Sequence, residues 1–313
     1  MYGQRVASGR HTMQEPVGFI GLGTMGSAMS SHLLRAGYAV TGYDIDPSRL
    51  EEHAERGGHR AASPAEVVTD AEIVVTSLPS AAALSDVLRG DQGLASQPKA
   101  GLLIIETSTL PAEVKEEARR FLAGHGKTLL DCPISGTGAQ ARRRDIVAYL
   151  SGDEDAKARA EPVLSAMTRN WHDVGPFGNG MRMKIVANLL VAVHNLAAAE
   201  ALVLAEKAGL DLPMVLRAVS DGAGSSRMFE LRGPLMARGN YSEPGMRTRV
   251  FAKDIEIIEA CAAGLRSPTP LFSLASTFYR AALAQGRGRD DTACVHAVLR
   301  QLASGDEPLG SAR

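Results

Sequence analysis

The chain reads as an α/β protein, a doubly wound parallel sheet over residues 15–177 followed by an all-helical second domain over residues 178–303. Three observations predict this. Short apolar runs alternate with helical stretches through the first half. A glycine-rich turn, Gly21-Leu22-Gly23-Thr24-Met25-Gly26, follows the first of those runs. Past Phe177 the alternation stops, and residues 181–208 run without Gly or Pro. Strands separated by helices pair in parallel through right-handed crossovers.

Residues 17–20 are a short apolar run ending at Gly21, as a buried strand requires. Residues 27–36 have helical character and stop at Gly37, a natural residue past a helix end. Residues 39–43 form a second strand, and residues 73–78 a third that Pro79 stops. Further apolar runs follow at 102–105, 128–130 and 147–150, and all are assigned to the same sheet. In the second half, 28 residues from 181 to 208 make a helix of about 42 Å at 1.5 Å per residue. Its apolar side chains lie almost all the way round, the pattern of a helix buried in a bundle. Helical patterns continue over 213–220, 250–263 and 270–284, with no strand signal and no internal repeat. Residues 1–14 are polar and read as a disordered extension, and residues 304–313 as a frayed tail.

Composition narrows the function classes. The chain has 313 residues, 45% hydrophobic and 22% charged, enough for two globular domains. A net charge of −1 argues against nucleic acid or an anionic membrane as the partner. No stretch of about 20 apolar residues is free of charge, so no membrane span is expected. Cys132, Cys261 and Cys294 are sparse and odd in number, which points to a reducing, cytoplasmic setting without disulfides. The eight histidines show no metal-ligand spacing, so no metal site is expected.

The glycine turn carries the first functional signal. Its glycines permit a tight turn, let backbone approach a pyrophosphate, and bring helix and strand close together. The N–H groups and dipole at the helix start favour an anion. Asp44 lies 18 residues beyond Gly26, at the end of the second strand. An acid there accepts hydrogen bonds from the adenine-ribose hydroxyls and repels a 2′-phosphate. The context predicts a Rossmann-type dinucleotide site that takes NAD, with NADP the alternative because Ser48 and Arg49 are near. Leu78-Pro79-Ser80 and Thr107-Ser108-Thr109 end strands on the same sheet edge, where ligands of open α/β sheets bind.

The second signal is spread along the chain. Asp131-Cys132-Pro133-Ile134-Ser135-Gly136-Thr137-Gly138 follows another strand, and its N–H groups and hydroxyls suit a carboxylate as well as they suit an ordinary small-residue turn. Gly178-Asn179-Gly180 precedes the long helix. Lys184 and Asn188 stand four residues apart on one face of that helix, amid apolar neighbours. A lysine there is either a snorkelling side chain or one kept partly desolvated for chemistry. Lys253-Asp254, read alone, is a surface ion pair, and Arg142-Arg143-Arg144 a solvated helix face.

These motifs, in this order, resemble the β-hydroxyacid dehydrogenase family, typified by 3-hydroxyisobutyrate dehydrogenase and related to 6-phosphogluconate dehydrogenase. The likeness covers about residues 16–300. It implies hydride transfer between a nicotinamide cofactor and a small hydroxy acid, in a cleft between a nucleotide-binding domain and a helical domain. It implies that Ser135, Gly136 and Thr137 receive the substrate carboxylate, that Lys184 is the catalytic acid/base, that Asn188 binds substrate and that Lys253 lies near the nicotinamide. A homodimer or homotetramer built on the helical domain is also implied. The chain departs from the family at Thr137, where Gly is usual, over residues 138–141, and at Arg227, where an aromatic is common. Arg227 is therefore a candidate for gripping a polar or anionic substrate group. Two other readings share parts of the pattern: an imine reductase, which generally lacks the lysine, and a non-catalytic NAD-binding sensor.

Overall fold

A computed structural model describes residues 15–303. The chain divides into two units, residues 15–136 with 140–181, and residues 137–139 with 182–303. The change of unit at 181 falls four residues past the shift in sequence character at 177, and a tripeptide, Thr137–Ala139, sides with the helical unit.

The first unit alternates β1 (Val17–Ile20), α1 (Thr24–Arg35), β2 (Val40–Tyr43), α2 (Pro47–Glu55), β3 (His59–Arg60), α3 (Pro64–Val67), β4 (Ile73–Thr76), α4 (Ala81–Arg89), β5 (Leu103–Glu106), α5 (Ala112–Ala123) and β6 (Thr128–Asp131). These six strands form one parallel sheet in the order β3-β2-β1-β4-β5-β6. The order reverses at β1, which places the β1–α1 and β4–α4 turns at the switch point where such sheets bind ligands. Strands β1, β4 and β5 are buried along their whole length, which is why they read as continuous apolar runs rather than alternating ones. The two-residue β3 carries no such run and was invisible to periodicity.

Residues 147–150 do form a strand, but not in that sheet. A second sheet of three strands holds β7 (Ile134–Ser135), β8 (Val147–Leu150) and β9 (Asn170–Asp173), with β7–β8 antiparallel and β8–β9 parallel. Strand β9 reads as polar, Asn-Trp-His-Asp, so hydrophobic patterning could not find it. Helices α6 (Gly138–Arg142) and α7 (Glu154–Met167) flank β8 in sequence. Arg142, Arg143 and Arg144 are exposed, as a solvated face requires.

The helical unit contains α8 (Asn179–Lys207) from residue 182 onward, α9 (Leu212–Ser220), α10 (Arg227–Arg238), α11 (Thr248–Gly264), α12 (Pro270–Ala284) and α13 (Val295–Ala303). Among the described residues no strand follows β9. Helix α8 is long and apolar enough to cross a membrane by length and composition alone. Its Ala192, Leu196, Ala199 and Leu202 lie instead in the core of the unit, with Phe251, Phe272 and Tyr279. Asn195 is buried there too, donating to the Tyr279 hydroxyl at 2.9 Å and the Thr292 carbonyl at 2.8 Å. Helix α10 escaped the sequence reading because it contains Gly233 and Pro234. Ser226 caps it by accepting from the Phe229 N–H, and Gly233 sits where any side chain would strike Leu216 of α9. Close packing therefore overrides the poor helix propensity of that pair.

Candidate active site

The glycine turn is built for close approach. Helix α1 begins at Thr24, three residues earlier than its periodicity suggested, because Gly23 serves as its N-cap. Gly21 has φ +89°, and a side chain there would strike the Ser77 carbonyl. At Gly26 a side chain would strike the Gly21 carbonyl, so the first turn of α1 lies hard against β1. Gly23, by contrast, faces open space. No side chain caps the helix start and no acid lies in its first turn. The turn thus offers unclaimed N–H groups, a helix dipole and room, which fits the pyrophosphate of a dinucleotide.

Asp44, past the end of β2, is held against the glycine turn. One carboxylate oxygen accepts from the Leu22 N–H at 2.6 Å, the other from the Asp46 N–H at 2.9 Å. Leu22 itself is buried, so it acts through its backbone. Ser48 donates to Asp46 at 2.7 Å and Arg49 pairs with Glu52 at 3.5 Å, so the two side chains suited to a 2′-phosphate already serve acids. Arg49 and Glu52 border a cavity of about 470 Å³ on the outer face of α1, together with Thr24, Ser27, Arg56 and Arg142.

The two further loops on this edge are joined. The Ser108 hydroxyl accepts from the Leu78 N–H at 2.8 Å, and Ser108 is itself buried. Their spatial kinship, inferred from adjacent strand ends, is therefore direct contact. Pro79 is exposed and Thr109 half-buried beside them.

Ser135 closes β7, and Gly136 follows with φ +143°, where a side chain would strike Ile146. Thr137 belongs to the helical unit, where a side chain at Gly245 would touch it. Gly178-Asn179-Gly180 proves to be an anchoring device. A side chain at Gly180 would collide with the carbonyls of Asp131 and Tyr149. The Asp131 carboxylate accepts from the Met181 N–H at 2.8 Å, and Asn179 donates to the Val174 carbonyl at 2.7 Å.

In the helical unit Lys184, Asn188 and Asp254 are all buried, at 7%, 5% and 8% exposure. Asn188 Nδ2 donates to Asp254 Oδ2 at 2.9 Å. Burial pulls the Lys184 ammonium down to about 8, with Lys253 pushing the same way and the Asp254 carboxylate resisting. Burial likewise raises the Asp254 carboxyl above its ordinary range, while Lys184 and Lys253 oppose the rise. This corrects the reading of Lys253-Asp254 as a surface ion pair: Asp254 is an interior acceptor for Asn188, and Lys253 is half-buried. Asp254 was missed as a site residue, although its one signal was present, an acid next to a singled-out lysine. Arg227 is 61% exposed on its side chain and pairs with Glu230 at 3.3 Å, the environment of an ordinary i,i+3 surface pair. Among the described residues no group of His, Cys, Asp and Glu could hold a metal ion.

Comparison with known proteins identifies the family and the fold. Residues 16–175 match the family described as the NAD binding domain of 6-phosphogluconate dehydrogenase. Residues 178–299 match the NAD-binding region of NADP-dependent 3-hydroxyisobutyrate dehydrogenase. L-threonate dehydrogenase of Cupriavidus necator is 35% identical over 284 residues, covering 90% of this chain and 95% of the relative. A crystal structure of 3-hydroxyisobutyrate dehydrogenase from Salmonella typhimurium superposes with a TM-score of 0.82 at 32% identity, covering 91% of this chain and all of that one. An imine reductase from Pseudomonas sp. shares the fold at a TM-score of 0.57 and 21% identity, over 91% of this chain and 99% of its own. The chain belongs to the β-hydroxyacid dehydrogenase family and is an NAD(P)-dependent oxidoreductase of small hydroxy acids.

Proposed function

We propose that Lys184 carries the proton in a reaction that oxidises the hydroxyl of a small β-hydroxy acid, with NAD as the preferred acceptor. The observation that carries this reading is the burial of Lys184 in the helical unit with Asn188 and Asp254, a burial that pulls its ammonium down to about 8. The bound cofactor supplies the hydride acceptor. Everything else falls to the chain. Neutral Lys184 accepts the hydroxyl proton as the carbonyl forms, and in reverse its ammonium polarises that carbonyl. Asn188, oriented by Asp254, offers its remaining amide groups to the substrate. Ser135, Gly136 and Thr137 receive the carboxylate, which fixes the reacting carbon. As the family resemblance implies, Lys253 would serve the bound nicotinamide, and Arg227 would contribute to recognition of the distal substrate group. Asp44 faces the adenine ribose and disfavours a 2′-phosphate.

Relatives named for L-threonate and for 3-hydroxyisobutyrate point to small hydroxy acids as the substrate class. The departures at Thr137 and Arg227 favour a more polar acid than hydroxyisobutyrate. A homodimer or homotetramer is supported by apolar residues left exposed on α8, Val186, Leu190 and Leu204 among them. The test is absorbance at 340 nm with threonate, glycerate, hydroxyisobutyrate and serine, each with NAD and with NADP. Turnover of a polar hydroxy acid with NAD is expected. NADH binding without turnover of any acid would replace this reading with a sensor.

A further inference from the structure

Beneath the cofactor-facing loops lies a charged group that the proposed chemistry does not use. Lys115 of α5 is buried, as are Glu106 at the end of β5 and Asp131 at the end of β6. Its ammonium lies 2.7 Å from Glu106 Oε2 and 2.8 Å from Asp131 Oδ1. An ion group this deep needs all its partners, since burial penalises each charge heavily. The two carboxylates raise the Lys115 ammonium above its ordinary range although burial opposes them.

Each carboxylate spends its second oxygen on backbone. Glu106 Oε1 accepts from the Ser108 N–H at 3.0 Å. Ser108 in turn accepts from the Leu78 N–H through its hydroxyl. Asp131 Oδ2 accepts from the Met181 N–H and from the Ser151 hydroxyl at 3.3 Å. One ammonium therefore fixes the orientation of the carboxylate that holds two adjacent strand-end loops.

We propose that Glu106 and Lys115 are positioning residues for cofactor binding: the Lys115 charge aims Glu106 so that the Ser108 and Leu78 loops are set for the dinucleotide before it arrives. The proposal rests on the reading of this sheet edge as the cofactor site. Glu106→Gln tests it, because the amide turns an N–H donor toward either Lys115 or the Ser108 N–H, and neither can accept. Adding Lys115→Met removes the ammonium, so the Gln carbonyl is free to face the Ser108 N–H again. NADH affinity, read by fluorescence without substrate, should fall about tenfold in Glu106→Gln, the scale of one lost charge-assisted hydrogen bond. It should return to within about threefold of wild type in the double variant. Throughout, kcat at saturating NAD should stay within about threefold. Hydrogen exchange at the Leu78 and Ser108 amides, measured below the melting temperature, should quicken in Glu106→Gln and slow again in the double variant.

A merely structural role would make the double variant worse in every readout. The proposal is overturned by a folded Glu106→Gln with wild-type NADH affinity and wild-type exchange at Leu78 and Ser108. It is overturned equally by a double variant that binds NADH no better than the single one. Wild-type protein that fails to bind NADH would instead overturn the cofactor reading on which this rests.

Discussion

Asn188 Nδ2 gives its proton to Asp254 Oδ2 at 2.9 Å, and both side chains are buried within the helical unit. Because the amide end of Asn188 is held by a carboxylate, its orientation is settled before any substrate binds. The same carboxylate also acts on Lys184, with Lys253 the opposing cation. Two predictions about proton transfer follow from that arrangement.

Lys184→Ala should lower kcat by about 10²–10⁴, the usual weight of general acid–base catalysis. NADH affinity should change little. In wild type the oxidation rate should rise with pH through about 8, since the lysine accepts a proton only when neutral. The variant should lose that ionisation, and Lys184→Arg should not restore it. A folded, saturated Lys184→Ala within threefold of wild type would remove the lysine from the mechanism.

Asp254→Asn should move the same ionisation to lower pH. The carboxylate raises the Lys184 ammonium against burial, so deleting the charge leaves burial and Lys253 unopposed. The pH–rate profile of kcat/KM reads this directly. A profile that stays in place, or moves up, would show that Asp254 serves Asn188 alone.

Asp44→Ala should cost NAD selectivity about tenfold or more, a charge-assisted hydrogen bond being worth about 1.5–3 kcal/mol. The comparison is kcat/KM for NAD against NADP. A wild-type preference for NADP would contradict the ribose assignment.

His296 predicts a pH effect on stability rather than on rate. It is fully buried, its Nδ1 lies 3.0 Å from the Tyr241 hydroxyl, and burial, then Arg300, lowers it to about 4 from 6.5. The unfolded chain therefore binds a proton here between pH 6.5 and 4 that the folded chain refuses. Its stabilising contribution is complete above pH 6.5 and lost progressively as pH falls toward 4. Thermal melts of His296→Gln should depend less steeply on pH across that window than those of wild type. Equal slopes would assign the acid sensitivity elsewhere.

How far the sequence could be read depended on what kind of signal each residue left. Strands β1, β4 and β5 were legible because burial on both faces forces unbroken apolar runs. The glycine turn and Asp44 were legible because backbone approach and ribose recognition restrict residue type. Strand β9 was not, since its Asn-Trp-His-Asp is held by pairing with β8 and not by an apolar face. Helix α10 was hidden by Gly233-Pro234, whose cost tertiary packing absorbs. Asp254 was hidden because adjacency in sequence suggested Lys253 as its partner. The fold gave it to Asn188, 66 residues away in the chain, and no local pattern encodes that distance.

The chain passes from one unit to the other at 136/137, back at 139/140, and out again at 181/182. Neither half can therefore be lifted out as a contiguous cassette. A cut at 177/178 would strip the helical half of Thr137–Ala139. It would also strip the other half of Met181, whose N–H rests on Asp131, and of Gly180, which fills a space no other residue fits. Grafting this enzyme's helical half onto a foreign nucleotide-binding half would require the tripeptide to travel with it. The splice would have to lie at or beyond 181, and the foreign half would need its own aspartate and glycine at the places of Asp131 and Gly180.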